Sequence, residues 1–133
     1  MGQQQLLLVI LVTIVVGIAT VLAINIFGTS AEQANEDMVR QDIASIASGA
    51  QSWYIKPAML GGGSNTFDGL TFTKFAFPCD DLVNNDLDCT NINGTFKITA
   101  TSDSMFTLSA EPITSPNDFT VHVYRNRLEY ITD

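Results

Sequence analysis

Charged side chains are absent from the first 31 residues of this 133-residue chain. The run from Leu6 to Phe27 is almost entirely hydrocarbon, and every Lys, Arg, Asp and Glu lies beyond it. A soluble domain of this size would not tolerate such a run at a free end, because exposed apolar surface is driven out of water. The segment must therefore lie in a membrane, inside a packed assembly, or in each at different times.

Basic residues are few. The chain has 6 Lys and Arg against 14 Asp and Glu, which gives a net charge of −8. Nucleic-acid binding needs basic patches that release counterions, so we expect no nucleic-acid partner. An acidic surface instead favours solubility and mutual repulsion among exposed domains.

Metal ligands of the zinc type are also scarce, with two cysteines and one histidine in the chain. Cys79 and Cys89 are too far apart for a redox Cys-x-x-Cys motif, and zinc would need further Cys or His ligands. We therefore predict a structural disulfide between them, which would stabilise the fold by about 2–3 kcal/mol. Such a bond indicates an oxidising compartment outside the cytosol.

Catalytic signatures are missing. No acid–base pair, nucleophile–histidine arrangement or phosphate-binding loop is visible, so we expect a protein that is not an enzyme and binds no cofactor or metal. His122 lies between two valines of a predicted strand and is expected on its exposed face. The oxygen-rich stretch Asp80 to Asp88 does not have the spacing of an EF-hand, and a solvated acidic loop is favoured over a calcium site.

Three identities are open for the apolar segment. A cleaved secretory signal would have a basic start and a shorter core. A single-pass anchor fits the length, since 22 residues span about 33 Å, but the usual flanking basic residues and aromatic belt are missing. The third identity is the apolar half of the long helix of a filament subunit.

The third identity is favoured by the layout of about the first 55 residues. The chain begins Met1-Gly2-Gln3-Gln4-Gln5-Leu6-Leu7-Leu8-Val9-Ile10-Leu11, which resembles the start of a mature type IV pilin. A short polar head precedes a long apolar helix, an amphipathic helix and a small β domain with a disulfide. The resemblance implies an α+β fold, with one long N-terminal helix packed on a small antiparallel sheet.

The resemblance has three departures. Gln5 stands where the family usually has a glutamate that neutralises the N-terminal amine of a neighbouring subunit, so we expect Gln3, Gln4 or Gln5 of a neighbour to hydrogen-bond the Met1 amine. No basic leader precedes Met1. Three explanations are open: the numbering omits a leader, the protein is used without one, or cleavage occurs after Gly2. Of these we expect that Met1 is retained. The apolar helix also lacks the proline found in many bacterial relatives.

One long helix is feasible from Met1 to about Tyr54, because no proline interrupts it. Gly17 is the only breaker inside the apolar run, so we expect a continuous helix or a short irregularity there. Gly28-Thr29-Ser30 could cap a second helix or form a flexible joint. Small residues that would allow close approach of neighbouring helices stand at i,i+4 spacing; the predicted assembly residues of the apolar helix are Thr13, Gly17, Ala19 and Ala23.

The second half of the helix is amphipathic. A stripe at helical spacing is expected to pack on the β domain; it comprises Val39, Ile43, Ile46, Ala50, Trp53 and Tyr54. Pro57 and Gly61-Gly62-Gly63 should end the helix. We assign residues 1–28 to the apolar helix, 29–56 to its amphipathic continuation and 57–133 to the β head.

Period-two patterning from Leu70 onward predicts four or five antiparallel strands. The expected strands are 70–77, 95–100, 105–110 and a terminal hairpin of 119–124 and 127–131 that turns at Arg125-Asn126, with the disulfide loop between the first two. Asn93-Gly94-Thr95 is an N-glycosylation sequon, so Asn93 is a candidate for modification.

From the resemblance we expect the major structural subunit of an extracellular filament. Subunits would wait in the cytoplasmic membrane, in contact with lipid and the pilus assembly machinery, and then form a helical homopolymer on the cell surface. The alternatives are a minor pilin or secretion-system pseudopilin with the same build, and a membrane-anchored extracytoplasmic domain that binds a ligand or partner.

Overall fold

The computed structural model describes residues 2–131. One long helix precedes a short 3₁₀ helix and six strands. The elements are α1 (Gly2–Ile55), a 3₁₀ helix (Ala58–Leu60), β1 (Asp81–Val83), β2 (Asp88–Thr90), β3 (Gly94–Thr101), β4 (Met105–Pro112), β5 (Phe119–Tyr124) and β6 (Leu128–Ile131). By contacts the chain divides into two compact units, with the boundary between Ala34 and Asn35. We call residues 35–131 the head.

Helix α1 has 54 residues and no break. The helix passes through Gly17 without irregularity, which is the first of the two predicted outcomes there. Gly28-Thr29-Ser30 also lies within the helix, so neither a cap nor a non-helical joint forms at that position. Two physical reasons apply. A single glycine costs only about 1 kcal/mol in a helix, and the hydroxyl of Thr29 donates to the carbonyl of Asn25 at 3.0 Å, a bond that is compatible with a helical backbone.

The segment 56–65 folds back and satisfies the carbonyls at the end of α1. The amide of Gly63 donates to the carbonyl of Trp53 at 2.8 Å, and that of Asn65 donates to the carbonyl of Tyr54 at 2.7 Å. The indole Nε1 of Trp53 donates to the carbonyl of Gly61 at 3.0 Å, and Gly61 adopts the left-handed conformation, with φ of 82°. Helix ends leave such carbonyls without partners, so this loop replaces a simple cap.

The six strands form one antiparallel sheet in the order β1-β2-β3-β4-β5-β6, with a register shift between Ile98 and Ala100 on β3. The helix segment of the head packs on one face of this sheet. The predicted α+β class, with a long N-terminal helix on a small antiparallel sheet, is confirmed. The predicted strand count of four or five is too low by one or two, because β1 and β2 have three residues each and too few buried side chains to show a period-two pattern.

The predicted strand over 70–77 is wrong. Residues 71–74 form turns, and the amide of Lys74 donates to the carbonyl of Thr71 at 3.1 Å. The apolar pattern does record which side chains are buried, since Leu70 and Phe72 both lie in the core. However, β1 occupies the place beside β2 in the sheet, and Pro78, which has no N–H, follows at once. The segment therefore covers the core without pairing with a strand.

The disulfide joins Cys79 to Cys89, with a Cα–Cα distance of 5.5 Å. It encloses the β1–β2 hairpin, whose turn places Asn84, Asn85 and Asp86 at φ of 57°, 57° and 64°. Asn and Asp tolerate this left-handed conformation better than other residues with a Cβ. The stretch predicted as an acidic loop is therefore a β-hairpin whose open end is closed by the disulfide.

The core of the head lies between the buried stripe of α1, the inner face of the sheet and the segment 67–72. Aromatic rings join the three: the ring centroids of Tyr54 and Phe67 are 4.5 Å apart, and those of Phe67 and Phe106 are 5.2 Å apart. The buried sheet residues include Phe96, Ile98, Phe106, Leu108, Ala110, Val121 and Val123.

Candidate assembly surface

We call Leu6–Phe27 the sleeve. Its large apolar side chains are all exposed, by 52% at Ile10 to 75% at Phe27. By length and composition α1 contains one stretch apolar enough to cross a membrane, and none of that stretch is buried within residues 2–131. An apolar surface on all sides of a helix is typical of one that is surrounded by lipid or by other helices. Contact of the sleeve with lipid or with other helices would remove this apolar surface from water.

A shallow hollow marks the sleeve at Gly17. Its walls are Ile14, Ile18, Val21 and Leu22, and a Cβ added to Gly17 would meet nothing within 4 Å. Nothing inside the described chain therefore requires glycine here. A hollow lined by aliphatic side chains accepts an aliphatic side chain of a neighbouring helix, and a small residue lets the two backbones approach.

The predicted assembly residues lie on two faces of the sleeve. At 3.6 residues per turn, Thr13 and Gly17 lie roughly 120° around the helix from Ala19 and Ala23. The hydroxyl of Thr13 donates to the carbonyl of Val9 at 2.7 Å, so its polarity is satisfied within the helix. Two faces of small residues would let one helix approach two neighbours.

The substitution Gly17→Leu is expected to reduce assembly without reducing membrane insertion. A leucine fills the hollow but keeps the sleeve apolar, so only close approach between helices is lost. The measurement compares the amount of chain in the membrane fraction with the amount in sheared surface fibres. We expect an unchanged membrane level and roughly tenfold fewer fibres, whereas Gly17→Ala should leave both close to wild type. Equal fibre yields for the two variants would contradict close approach at Gly17.

The polar start of α1 is exposed and carries Gln3, Gln4 and Gln5. Within residues 2–131 their side-chain amides make no hydrogen bond to the rest of the chain, so their donors and acceptors are available to other molecules. Met1 lies outside the described residues. The expected bond between the Met1 amine and a neighbour's glutamine therefore stays a prediction.

The stripe that the sequence assigns to the head core is buried in the structure. Val39, Ile43, Ile46 and Ala50 have no exposed surface, and Trp53 is 7% exposed. Tyr54 also belongs to the core cluster. Burial of an apolar side chain contributes about 1.5–3 kcal/mol, so this stripe holds the amphipathic half of α1 on the sheet.

A set of polar contacts that the sequence did not predict fixes the start of the head's helix. Asn35 Nδ2 donates to the carbonyl of Asn93 at 2.8 Å, and Asn35 Oδ1 accepts from the amide of Thr114 at 3.0 Å. Glu36 Oε1 accepts from Ser115 Oγ at 2.6 Å and from Asn117 Nδ2 at 2.9 Å. These bonds join residues 58 to 81 positions apart, so only the folded chain brings them together.

The hydrogen bonds from Ser115 and Asn117 lower the pKa of the Glu36 carboxyl below its usual value of 4.5, and the charge of Arg40 adds to this effect. Bonds donated to a carboxylate favour its charged form. A carboxyl whose pKa is lower in the folded state stabilises that state above its unfolded pKa. This stabilisation is lost as the pH falls through the folded pKa.

The substitution Glu36→Gln is therefore expected to flatten the acid dependence of the head's stability. Above pH 4.5 the wild type should be the more stable, and its advantage should shrink as the pH falls below 4.5. Urea unfolding followed by the fluorescence of Trp53 at neutral pH, about pH 4.5 and about pH 3 measures this difference. The other carboxylates act equally in both proteins, so parallel curves for the two would contradict the role assigned to Glu36.

The sequon asparagine is part of the same polar contacts. Asn93 is half-buried, and its Nδ2 donates to Asp42 Oδ2 at 2.8 Å. Asn91 Nδ2 donates to the same oxygen at 3.0 Å. The nitrogen that would carry a glycan is thus bonded to a carboxylate of α1. A glycan on Asn93 would break this charge-assisted bond, which is worth about 1.5–3 kcal/mol.

We accordingly expect the folded protein to carry no N-glycan at Asn93. The test is the intact mass of the wild type beside that of Thr95→Val, which removes the sequon and keeps Asn93. The two masses should differ only by the substitution itself. A larger loss of mass in Thr95→Val would show a glycan at this position and contradict the expectation.

One further candidate from the sequence, His122, lies on the surface of the sheet. His122 is half-exposed on β5, opposite Thr107 of β4 and Glu129 of β6. Within residues 2–131 no group of three or more His, Cys, Asp or Glu side chains is arranged to hold a metal ion.

No protein-family model matches the chain, and no curated protein or solved structure shows significant similarity to it. The structure itself combines a long N-terminal helix with an apolar start, a small antiparallel sheet and one disulfide. This combination is compatible with a pilin-like fold. The apolar helix is suited to anchorage in a membrane, and the disulfide fits an extracellular domain.

Proposed function

We propose that this protein is the major structural subunit of an extracellular, type IV pilus-like filament, assembled by packing of the N-terminal helices. The observation that carries the proposal is the sleeve. It is exposed on all sides, yet it continues without a break into a helix that is built into a head with its own closed core.

The physical argument rests on the near equality of two apolar surroundings. Lipid tails and the interior of a helix bundle are both apolar, so moving the sleeve from one to the other changes its solvation little. Apart from Glu32, every charged side chain of the chain lies beyond Asn35, and none lies on the sleeve. The acidic heads would coat the outside and keep the polymer soluble. The partners are other copies of this chain, membrane lipid before assembly and the pilus assembly machinery.

The break-free join between sleeve and head favours a subunit over a simple anchor. An anchored binding domain needs only a tether, and a flexible linker of polar residues would serve it. Here residues 28–35 are helical, and the helix then contributes seven buried residues to the core of the head. In this proposal the helix is a structural member of the subunit, and the protein has no enzymatic role.

Negative-stain microscopy of sheared surface material tests the proposal in cells that express the full chain. The expected result is long, uniform fibres in which this chain is the most abundant protein. Fibres in which it is a trace component would assign it to a minor pilin or pseudopilin. Discrete particles, with the chain confined to membranes, would overturn the filament and favour a membrane-anchored binding domain. A helical reconstruction of the fibres would then place Met1 and the three glutamines.

A further inference from the structure

The head has two ends, defined by the two ends of its helix segment. At the proximal end, Asn35 bonds to Asn93 and Thr114. At the distal end, Gln51 Nε2 donates to the carbonyl of Tyr124 at 2.8 Å. The helix from residue 35 to residue 55 separates the two ends by about 30 Å, at 1.5 Å per residue. Opposite ends of one domain are the surfaces through which identical copies can stack.

The proximal end is acidic. Glu36 and Asp42 are half-buried there, and Asp37 and Asp118 are exposed. Arg40 lies beside them, with its Nη1 3.5 Å from Asp37 Oδ1. Lys97, whose Nζ is 3.1 Å from Glu111 Oε1, interacts electrostatically with Asp118. These four carboxylates and Glu111, against Arg40 and Lys97, leave a net charge of about −3 at this end.

The distal end is basic, although the chain as a whole has a net charge of −8. Arg125 and Arg127 flank the β5–β6 turn and line a hollow with Tyr54. Lys56 follows α1 and lines a second hollow with Lys74. Thus four of the six basic residues of the chain lie at one end.

The distal cations are exposed, and within residues 2–131 none has a carboxylate oxygen within 4 Å. The guanidinium of Arg127 lies 4.0 Å above the ring of Tyr124, which holds it in place. Asp68 and Asp103 also lie toward this end, and Asp103 accepts a hydrogen bond from Thr66 at 2.8 Å. Glu129 on β6 is exposed beside this turn as well. Four cations against these three carboxylates leave a net charge of about +1.

Each end also exposes aliphatic side chains. At the proximal end Ile92 is 79% and Ile113 is 67% exposed, and they are neighbours because the amide of Ile113 donates to the carbonyl of Asn93 at 3.0 Å. At the distal end Met59 is 96% and Leu60 is 66% exposed. An apolar centre with a charged rim is the usual anatomy of a protein interface.

We propose that the proximal face of one head (Asp37, Asp118, Ile92 and Ile113) docks on the distal face of another copy (Lys56, Arg125, Met59 and Leu60). This inference deepens the proposed filament and rests on it for the role of the contact. The two faces have opposite charge and similar apolar centres, so each is complementary to the other and repels its own kind. Because the contact joins different surfaces, it does not close into a dimer and can be repeated without limit.

Thiol cross-linking between two variants, each with one added cysteine, tests the contact in the full-length chain. Cells express Ile113→Cys and Met59→Cys together, each with its own epitope tag, and are treated with a short bis-maleimide, which does not react with the Cys79–Cys89 disulfide. The matched control replaces Ile113→Cys by Thr99→Cys, at an exposed position on β3. We expect at least roughly tenfold more mixed dimer from the test pair than from the control.

Charge reversal tests the charged residues that surround the apolar centre of the same contact. Lys56→Glu with Arg125→Glu on the Met59→Cys chain should lower the mixed dimer several-fold, because it places carboxylates against Asp37 and Asp118. Adding Asp37→Lys and Asp118→Lys to the Ile113→Cys chain should restore the yield. All four positions are exposed, so the head should remain folded, which the fluorescence of Trp53 verifies.

The outcomes separate this contact from the filament itself. Fibres on the cell surface with no mixed dimer above the control would overturn the contact and leave the filament standing. Mixed dimers with no fibres would support the contact and overturn the filament. A distal face that docks on an anionic membrane would give no mixed dimer, and this result too would overturn the proposal.

Discussion

The substitution Val15→Lys is expected to reduce the yield of surface fibres by roughly a hundredfold. Val15 lies near the middle of the sleeve and is 56% exposed. A lysine at the centre of an apolar helix costs about 2.5–3.5 kcal/mol on insertion into a membrane, and 1.4 kcal/mol corresponds to a factor of ten. In the core of a filament the cost is larger, because a lysine packed between helices cannot reach water by snorkelling to a membrane interface or by thinning a bilayer.

The measurement is quantitative blotting of sheared surface fibres and of the membrane fraction. Val15→Leu is the matched control, because it alters shape but adds no charge, and it should assemble close to wild type. Oxidation of Cys79 and Cys89 in each variant confirms that the head has folded. Normal fibre yield for Val15→Lys, with the chain correctly exported, would contradict the placement of the sleeve inside the polymer.

The helix and the last four strands follow closely from sequence pattern, for identifiable reasons. No proline occurs before Pro57, and the structure has one helix that ends at Ile55. Strand β5 has the predicted bounds, Phe119–Tyr124, because its side chains alternate strictly between the core and the opposite face at Val121 and Val123. Where the spacing of buried residues equals the repeat of the secondary structure, the sequence pattern predicts both.

The segment between the helix and β3 shows where this agreement ends. Leu70 and Phe72 alternate as a strand would, yet they belong to turns. Period two in a sequence records which side chains are buried, and only the three-dimensional arrangement decides whether the backbone between them pairs. The short hairpin of β1 and β2 has too few apolar residues for such a pattern. The feature of the sequence that indicates this hairpin is the run Asn84-Asn85-Asp86, whose residue types favour turns.

The charge distribution of the head was equally hidden in the sequence. A net charge of −8 suggests a uniformly acidic domain, whereas Lys56 and Arg125, which are far apart in the chain, lie at the same end of the head. The bonds from Ser115 and Asn117 to Glu36 likewise join two stretches that no local rule connects. Functional surfaces made of distant residues need the fold before they can be recognised.

The substitution Phe67→Ala is expected to lower the free energy of unfolding of the head by about 3–5 kcal/mol. Phe67 is fully buried, and its ring lies between Tyr54 of the helix and Phe106 of the sheet. Truncation loses the transfer free energy of the ring and leaves a cavity at the junction of helix, loop and sheet. Since small domains are stable by only about 5–15 kcal/mol, the loss would be a large fraction of the total.

Urea unfolding of the full chain in mild detergent measures this loss. Trp53 is the only tryptophan of the chain and is buried in the head, so its fluorescence reports the head and not the sleeve. Met59→Ala is the matched control, because Met59 is 96% exposed and its truncation should change stability by no more than about 0.5 kcal/mol. Phe67→Leu keeps most of the volume and should lie between the two. A change below about 1 kcal/mol for Phe67→Ala would mean that the loop does not join the helix to the sheet as described.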